Sequence, residues 1–157
     1  MHKINTAEDI LNEKGSDMYA IGPDALLTDA IAFMNKNKVG AVLVRDGVNY
    51  IGIWTERDLL RTVTTEGFDV KSAKIKDHMK TKLIGASHDE PLFSLIDKAL
   101  GLRIRHLLIK REGQIIGMLS IGDLLRAALQ QRTEEYERLQ DIVKLDYYDE
   151  WRWKKKK

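Results

Sequence analysis

Two short segments of the chain carry the same three residue types at the same spacing. Residues 51–61 and residues 116–126 each place a glycine, then a hydroxyl residue three positions later, then an aspartate three positions after that. The hydroxyl and carboxylate residues are Thr55 with Asp58 and Ser120 with Asp123. A Ser or Thr that precedes a helix can cap the free N–H groups of its first turn, and the same N–H groups can hold a phosphate. The pattern therefore indicates two capped helices, two anion sites, or both.

The two segments belong to a longer internal repeat. Residues 19–61 align with residues 84–126 without a gap, at the offset of 65 residues that relates Ile51 to Ile116. Ten aligned pairs are identical, and many others exchange one apolar residue for another. Solenoid repeats are shorter, roughly 20–50 residues, so the sequence predicts a duplicated domain.

Hydrophobic periodicity and turn residues predict the same order of elements in each repeat: strand, helix, strand, strand, helix. In the first repeat the predicted elements are a strand at 17–21, a helix capped by Asp24, strands at 39–44 and 50–54, and a helix at 56–65. In the second they are a strand at 83–86, a helix opened by Asp89 and Pro91, strands at 105–109 and 114–119, and a helix from Ile121. A short helix is predicted within residues 5–13.

The last helix is predicted to be much longer than its counterpart in the first repeat. It runs to about Leu145 and keeps an apolar stripe of Leu125, Leu129, Tyr136, Leu139 and Val143. A lone helix with such a face should not stay solvated. The stripe therefore packs on the body of the protein or pairs with a second copy, and we expect a homodimer.

Composition excludes several classes of protein. The chain has 157 residues, 43% of them hydrophobic, which is enough for one good core or two small ones packed together. The net charge of +2 comes from the lysines at 154–157, so the body lacks the basic excess typical of nucleic-acid binders. The absence of cysteine excludes disulfides, thiolate catalysis and Cys-ligated zinc, and the four histidines show no metal-ligand spacing.

Targeting signals are not evident in the sequence either. No apolar run reaches the roughly 18 residues of a membrane span, and the acidic N-terminal segment resembles neither a signal nor a transit peptide. These features predict a soluble cytoplasmic protein.

The chain resembles a tandem pair of CBS domains (a Bateman module) over about residues 5–145. The likeness is carried by the two Gly-x-x-Thr/Ser-x-x-Asp segments, by Asp77-x-Met79 ahead of the second repeat, and by the Ile-Arg-His-Leu run at 104–107. Short stand-alone members of the family have similar Thr-Glu-Arg-Asp and Ser-Ile-Gly-Asp segments. The first lead-in departs from the pattern, because residues 9–11 read Asp-Ile-Leu and the loop that follows is three residues longer.

The resemblance implies a mixed fold, α/β in the broad sense and α+β in detail. It comprises CBS domains of β-α-β-β-α type at residues 5–66 and 71–130, packed as a pseudo-two-fold pair. A long C-terminal helix extension and an aromatic and basic tail would follow at 131–157.

The resemblance also implies that adenosine nucleotides bind in clefts between the paired domains. Asp58 and Asp123 would each accept hydrogen bonds from the two ribose hydroxyls. Thr55 and Ser120 would donate to phosphate at a helix N-terminus. Adenine would lie against the first strand of each repeat, at Tyr19 and Ile21 or at Leu83, Ile84 and Ala86. AMP, ADP, ATP, NAD(H) and S-adenosylmethionine all carry the adenosine that these residues would contact, and none is expected as a catalytic cofactor.

The two repeats differ where phosphate charge would be neutralised. The second repeat has Arg105 and His106 at the positions where the first has Gly40 and Ala41. Conversely, Arg57 of the first repeat aligns with a glycine of the second. We therefore expect unequal clefts, with AMP or ADP preferring the second and a larger adenosine ligand, such as a dinucleotide, suiting the first. The alternatives are a solvated strand end for Arg105, a partly buried histidine for His106 and a surface residue for Arg57.

The residues do not predict an enzyme. No hydroxyl residue has a repeated histidine partner to activate it, and the two aspartates do not form an acid/base pair. The leading hypothesis is a regulatory module that binds adenosine nucleotides and acts in trans on a target protein.

Two alternatives stay open beside the regulatory module. One is a ligand-free structural dimerisation module, although both hydroxyl–aspartate pairs are intact here. The other is nucleic-acid or membrane contact through the tail, where aromatics stand next to lysines. Acidic residues at 146, 149 and 150 dilute that charge, and terminal lysine runs are usually solvated.

Overall fold

The computed structural model describes residues 5–15 and 18–133. Each repeat has the predicted order of elements, which confirms the mixed α+β fold. A helix α1 (Ala7–Lys14) comes first, followed in the first repeat by β1 (Ala20–Ile21), α2 (Leu27–Asn37), β2 (Ala41–Asp46), β3 (Asn49–Thr55) and α3 (Glu56–Thr62). A 3₁₀ turn (Ile75–Asp77) leads to the second repeat, which comprises β4 (Gly85–Ser87), α4 (Leu92–Gly101), β5 (His106–Arg111), β6 (Gln114–Ser120) and α5 (Ile121–Thr133).

Each repeat builds one three-stranded sheet. The strand orders are β1-β2-β3 and β4-β5-β6, and in each sheet the first pair is parallel and the second antiparallel. The antiparallel pairs are hairpins with two-residue turns, where Gly47 and Gly113 take positive φ angles of 58° and 78°. Glycine adopts such angles without steric cost, and the favoured hairpin turns require them.

The middle strand of each sheet is buried on both faces. In β2, Val42 and Val44 belong to a core cluster with α2 residues, whereas Leu43 points the other way. Successive side chains of a strand alternate between faces, so Leu43 reaches a third cluster that contains Leu108 and Met118 of the second sheet. Leu43 and Leu108 are equivalent in the repeat, as are Ile53 and Met118, which is the arrangement expected around a pseudo-two-fold axis.

The two lead-in segments are exchanged between the repeats. Helix α1 precedes the first repeat, yet its Ile10 and Leu11 are buried in the core of the second. Ile75 precedes the second repeat and is buried in the core of the first. Backbone hydrogen bonds show the same exchange, since Ala7 N donates to Glu90 O at 3.0 Å and Ile75 N donates to the O of residue 25 at 2.9 Å. Each repeat therefore completes the other.

The exchange explains why Asp24 does not cap α2, contrary to our prediction, and why α4 begins after Pro91 without a side-chain cap. Helix α2 begins at Leu27, whose N–H donates to the O of residue 73 at 2.9 Å, and α4 begins at Leu92, whose N–H donates to the O of residue 5 at 3.0 Å. Lead-in carbonyls thus satisfy N–H groups that a side chain would otherwise cap. Asp24 pairs instead with Lys76 at 2.8 Å, and Asp89 accepts a hydrogen bond from Ser87.

Several boundaries also differ from the predicted ones. Strand β1 is shorter than the predicted strand at 17–21, and β4 begins and ends later than the predicted strand at 83–86. Helix α3 ends at Thr62, before the predicted end at residue 65. Helix α5 is described to Thr133, so the predicted extension to about Leu145, its residues Tyr136, Leu139 and Val143, and the tail lie outside the described residues. The domain boundaries 5–66 and 71–130 stay a prediction. They divide the chain by sequence, whereas in the structure α1 packs on the second domain.

A double-mutant cycle tests the exchange. A Cβ atom at Gly117 of β6 would lie 2.6 Å from Leu11 Cδ2 of α1. We expect Gly117→Ala to lower the free energy of unfolding by roughly 1–3 kcal/mol through overpacking. In a Leu11→Ala background that cost should largely vanish, because the clashing atoms are gone. Urea denaturation gives the free energy of unfolding of the wild type, the two single variants and the double variant.

Gly101→Ala is the matched control, since a Cβ there meets nothing within 4 Å. An equal Gly117→Ala cost with and without Leu11 would contradict the packing of α1 on the second repeat.

Candidate functional site

Both hydroxyl–aspartate pairs form capping boxes. Asp58 N donates to Thr55 Oγ1 at 3.3 Å and Thr55 N donates to Asp58 Oδ2 at 3.0 Å. In the second repeat, Asp123 N donates to Ser120 Oγ at 3.1 Å and Ser120 N donates to Asp123 Oδ2 at 2.8 Å. These contacts confirm the capping interpretation and fix both side chains at the starts of α3 and α5.

The two carboxylates are buried and each is paired with a lysine. Asp58 is 6% exposed and Asp123 is 8% exposed. Lys80 Nζ lies 3.1 Å from Asp58 Oδ1, and Lys14 Nζ lies 2.6 Å from Asp123 Oδ2. Buried charges require such partners. Lys14 belongs to the exchanged helix α1 and Lys80 follows the exchanged turn, so both ion pairs depend on the exchange.

The lysine at Asp123 is held more firmly than the one at Asp58. Lys14 Nζ also donates to Met118 O at 2.9 Å, and its side chain is 32% exposed against 52% for Lys80. Burial raises the pKa of Asp123, but hydrogen bonds from Lys14 and from Ser120 N–H outweigh that effect and bring the pKa below its ordinary value. Asp123 is therefore a carboxylate at neutral pH.

A cleft of about 210 Å³ opens beside Thr55 and is lined by both repeats. Gly40, Thr55 and Arg57 contribute to it from the first repeat. The second repeat supplies Leu83, Ile84, Arg105 and His106, which we had grouped with Asp123. Because the two sheets pack face to face, the start of β5 lies beside the β3–α3 junction. The structure therefore brings candidate residues of both repeats to one cleft, while His106 also pairs with Ser120 in the β5–β6 hairpin. The expected preference of AMP or ADP for the second cleft stays a prediction.

The other candidate residues lie elsewhere. Ala41 and Ala86 are 1% and 5% exposed and do not line the cleft. Tyr19 makes an edge-on ring contact with Phe33, and Ile21 packs on the first core. Asp123 lines a second, smaller cleft of about 120 Å³ together with Lys14 and Arg126, while Ser120 caps α5 beside it. The nucleotide-binding roles of all these residues stay predictions.

Positive charge dominates the lining of the cleft at Thr55. Its one carboxylate residue is Glu56, and its six cationic residues are Arg57, Arg61, Lys80, Lys82, Arg103 and Arg105. Within residues 5–15 and 18–133, the ion pair between Lys80 and Asp58 is the only one that these six cations make. Sequence reasoning missed four of them, although the two lysines follow the Asp77-x-Met79 motif and Arg61 is identical with its repeat partner Arg126.

His106 adds little positive charge to the cleft at neutral pH. Burial lowers the pKa of His106, and the positive charges of Lys14 and Arg105 lower it further. The negative charge of Asp123 raises the pKa but does not cancel these effects. The imidazole is therefore neutral at pH 7. Protonation of His106 can strengthen anion binding only below its ordinary pKa of about 6.5.

Comparison with known proteins supports the resemblance noted in the sequence. The family model of the CBS domain matches the chain twice, at residues 7–64 and 75–130. The chain belongs to the CBS-domain family. The mitochondrial CBS domain-containing protein CBSX3 of Arabidopsis thaliana is 32% identical over 151 residues, which cover 90% of this chain and 73% of that protein.

Solved structures of CBS-domain proteins share the fold. A CBS-domain containing protein of Agrobacterium tumefaciens superposes with a TM-score of 0.76 at 29% identity, over 82% of this chain and 96% of the other. The protein CBSX2, solved in complex with AMP, superposes with a TM-score of 0.66 at 22% identity, over 80% of this chain and 97% of the other. In the described part of this chain, no helix has the length and apolar character to cross a membrane.

The pairing of Asp123 with Lys14 predicts a specific stability loss. Lys14→Met keeps the aliphatic stem but removes the closer of the two cations at a buried carboxylate, since Arg126 Nη1 lies 3.5 Å from Asp123 Oδ1. We expect roughly 1–3 kcal/mol, less than the loss for a fully buried pair because Lys14 is partly exposed. Lys80→Met is the matched control and should cost about 1 kcal/mol or less, since Lys80 is half exposed.

The pH dependence of that loss follows from the lowered pKa of Asp123. Its stabilisation is present above the unfolded-state pKa, near 3.9, and disappears as pH falls through the lower folded-state pKa. The difference between wild type and Lys14→Met, measured by urea denaturation, should therefore shrink below about pH 4. A difference that is unchanged down to pH 2 would contradict the ion pair.

Proposed function

We propose that the protein is a regulatory module that binds an adenosine nucleotide in the cleft beside Thr55 and acts in trans on a target protein. One observation carries the proposal. The cleft combines an apolar wall with six cationic side chains from both repeats, and two of its lining residues, Thr55 and Lys80, contact the capped carboxylate of Asp58. A nucleotide needs these three features, for its ribose hydroxyls, its base and its phosphate.

Each part of the ligand has a matching group. Leu83, Ile84 and Ile104 are partly buried and give adenine an apolar surface. Asp58 offers the ribose its Oδ1, which in the described residues is held by the half-exposed Lys80. Its Oδ2 is occupied by Thr55, whose hydroxyl donates to it at 3.0 Å. The Thr55 hydroxyl must therefore rotate before it can donate to a phosphate.

The phosphate is bound by side chains rather than by the start of α3. That helix has only seven residues, and its first turn is capped by Thr55. Arg57 and Arg105 line the cleft beside it and are exposed, and an Arg guanidinium can contact a phosphate with two parallel hydrogen bonds. The AMP complex of the related protein CBSX2 is consistent with a ligand of this class.

The regulatory role, rather than an enzymatic one, fits this set of groups. They position and neutralise a ligand, but they do not pair a nucleophile with a base. We keep the homodimer as part of the proposal, because the equivalent residues Leu60 and Leu125 are 72% and 52% exposed and would be covered by a second copy. We also keep a cytoplasmic location, which cell fractionation would test against that of the mitochondrial relative.

Titration of AMP, ADP and ATP by calorimetry tests the proposed function. Asp58→Asn removes the charge that would accept the ribose hydrogen bonds and nearly preserves the side-chain shape. We expect affinity to fall by at least about tenfold, since a hydrogen bond to a charged group contributes roughly 1.5–3 kcal/mol. Asp46→Asn is the matched control, because Asp46 is exposed and does not line the cleft. Wild-type protein that binds none of the three nucleotides, or Asp58→Asn with unchanged affinity, would contradict the proposal.

A further inference from the structure

We propose that the cleft beside Thr55 selects ligands with two or three linked phosphates over nucleoside monophosphates. This inference rests on the proposed function and specifies its ligand. Its basis is the number, origin and pairing of the cations around the cleft.

The cations form three closely spaced pairs on three segments. Arg57 and Arg61 are one helical turn apart on α3, and residues that far apart are neighbours on a helix surface. Lys80 and Lys82 follow the exchanged turn, and Arg103 and Arg105 precede β5. All six residues line the cleft and are exposed. Five of the six make no ion pair within residues 5–15 and 18–133, so their like charges repel one another, and a polyanion would relieve that repulsion. A single phosphate group cannot offer a separate oxygen to each of six cations.

The fold itself does not require this cluster. At the repeat-equivalent positions, Arg57 is replaced by Gly122 and Arg105 by Gly40. Arg57 stands on a helix and Arg105 directly before a strand that both repeats build. Neither arginine side chain is therefore needed to form that helix or strand.

Lys80 links the phosphate end of the ligand to its ribose. In the structure its Nζ lies 3.1 Å from Asp58 Oδ1, the oxygen that the ribose would need. A phosphate group in the cleft offers Lys80 an alternative anion. Transfer of the ammonium to the phosphate would free Asp58 at the moment when the ribose arrives. A ligand with more phosphate charge should draw Lys80 away more effectively.

The test is a calorimetric series of adenosine, AMP, ADP and ATP without divalent cations, at low and high ionic strength. We expect affinity to increase roughly 10-fold or more from AMP to ADP and again from ADP to ATP, the range that one charge-assisted hydrogen bond gives. The gain should shrink at high salt, because exposed charges are screened. Arg57→Ala and Arg105→Ala should each weaken ATP more than AMP, whereas Arg45→Ala, exposed and outside the cleft, should change neither.

The outcomes separate this inference from the proposed function. Equal affinities for AMP and ATP would overturn the oligophosphate preference and leave adenosine binding intact. Inorganic tripolyphosphate that competes with ATP would support the preference. If tripolyphosphate binds and no nucleotide binds more tightly, the anion cleft stands and the proposed adenosine specificity is wrong.

A separate observation concerns Asp123. We infer that Lys14 keeps the second adenosine position closed, so that each chain binds one nucleotide. The Lys14 ammonium lies 2.6 Å from Asp123 Oδ2 and 2.9 Å from Met118 O, and Arg126 Nη1 lies 3.5 Å from Asp123 Oδ1, so that cations stand at both oxygens that a ribose could use. Helix α1 cannot easily withdraw it, because Ile10 and Leu11 are each only 4% exposed in the second core. The backbone of Lys80 is also held, by two hydrogen bonds with Ile53, but its ammonium is half exposed and makes no second contact like that of Lys14 with Met118 O in the described residues.

Binding stoichiometry tests this closure. Like the first inference, it rests on the proposed function, which supplies the adenosine ligand. Wild-type protein should bind one AMP or ATP per chain, and Lys14→Met should gain a second site. Lys36→Met is the matched control, since Lys36 is exposed on α2 and lines neither cleft. Two equal sites in the wild type would overturn the closure even if Lys14→Met proved too unstable to titrate. A folded Lys14→Met protein without an added site would overturn it as well.

Discussion

The exchange of lead-in segments is the packing constraint on which the rest of the structure depends. Leu11 fills the space over Gly117 in the second repeat, and Met79 fills the equivalent space over Gly52 in the first. Lead-in carbonyls also accept hydrogen bonds from the first N–H groups of α2 and α4. Without these segments, each repeat would expose part of its core and leave helix N–H groups unsatisfied, at a cost comparable to that of lost hydrogen bonds.

The exchange also determines the electrostatics of both carboxylates. The segments that fill the cores end in Lys14 and continue to Lys80, and these lysines neutralise Asp123 and Asp58. The Lys14 ammonium also donates to Met118 O, whereas the Lys80 side chain is half exposed, so a near-symmetric backbone holds two unequal sites. Divergence at a few surface positions, Arg57 and Arg105 above all, enlarges that difference by concentrating positive charge in a single cleft.

Much of the fold could be predicted from the sequence, because the repeat and the binary pattern are local signals. The β-α-β-β-α order and both capping boxes followed from spacing alone. The pairing of segments did not, since an offset of 65 residues relates two copies without indicating which copy a lead-in packs against. For the same reason Arg105 and His106 were grouped with Asp123, and Asp24 was assigned a cap that a distant carbonyl makes unnecessary. Such contacts depend on tertiary packing, which overrides local preference.

The placement of α1 has a consequence for synthesis on the ribosome. This helix is translated before both repeats, but its core partners extend to Ala127 in α5. At about 5–20 residues per second, roughly 5–20 s pass before those partners exist. An isolated helix of eight residues is too short to be stable in water. Helix α1 is therefore translated before both repeats but is among their last elements to fold, since it must wait for α5 of the second repeat.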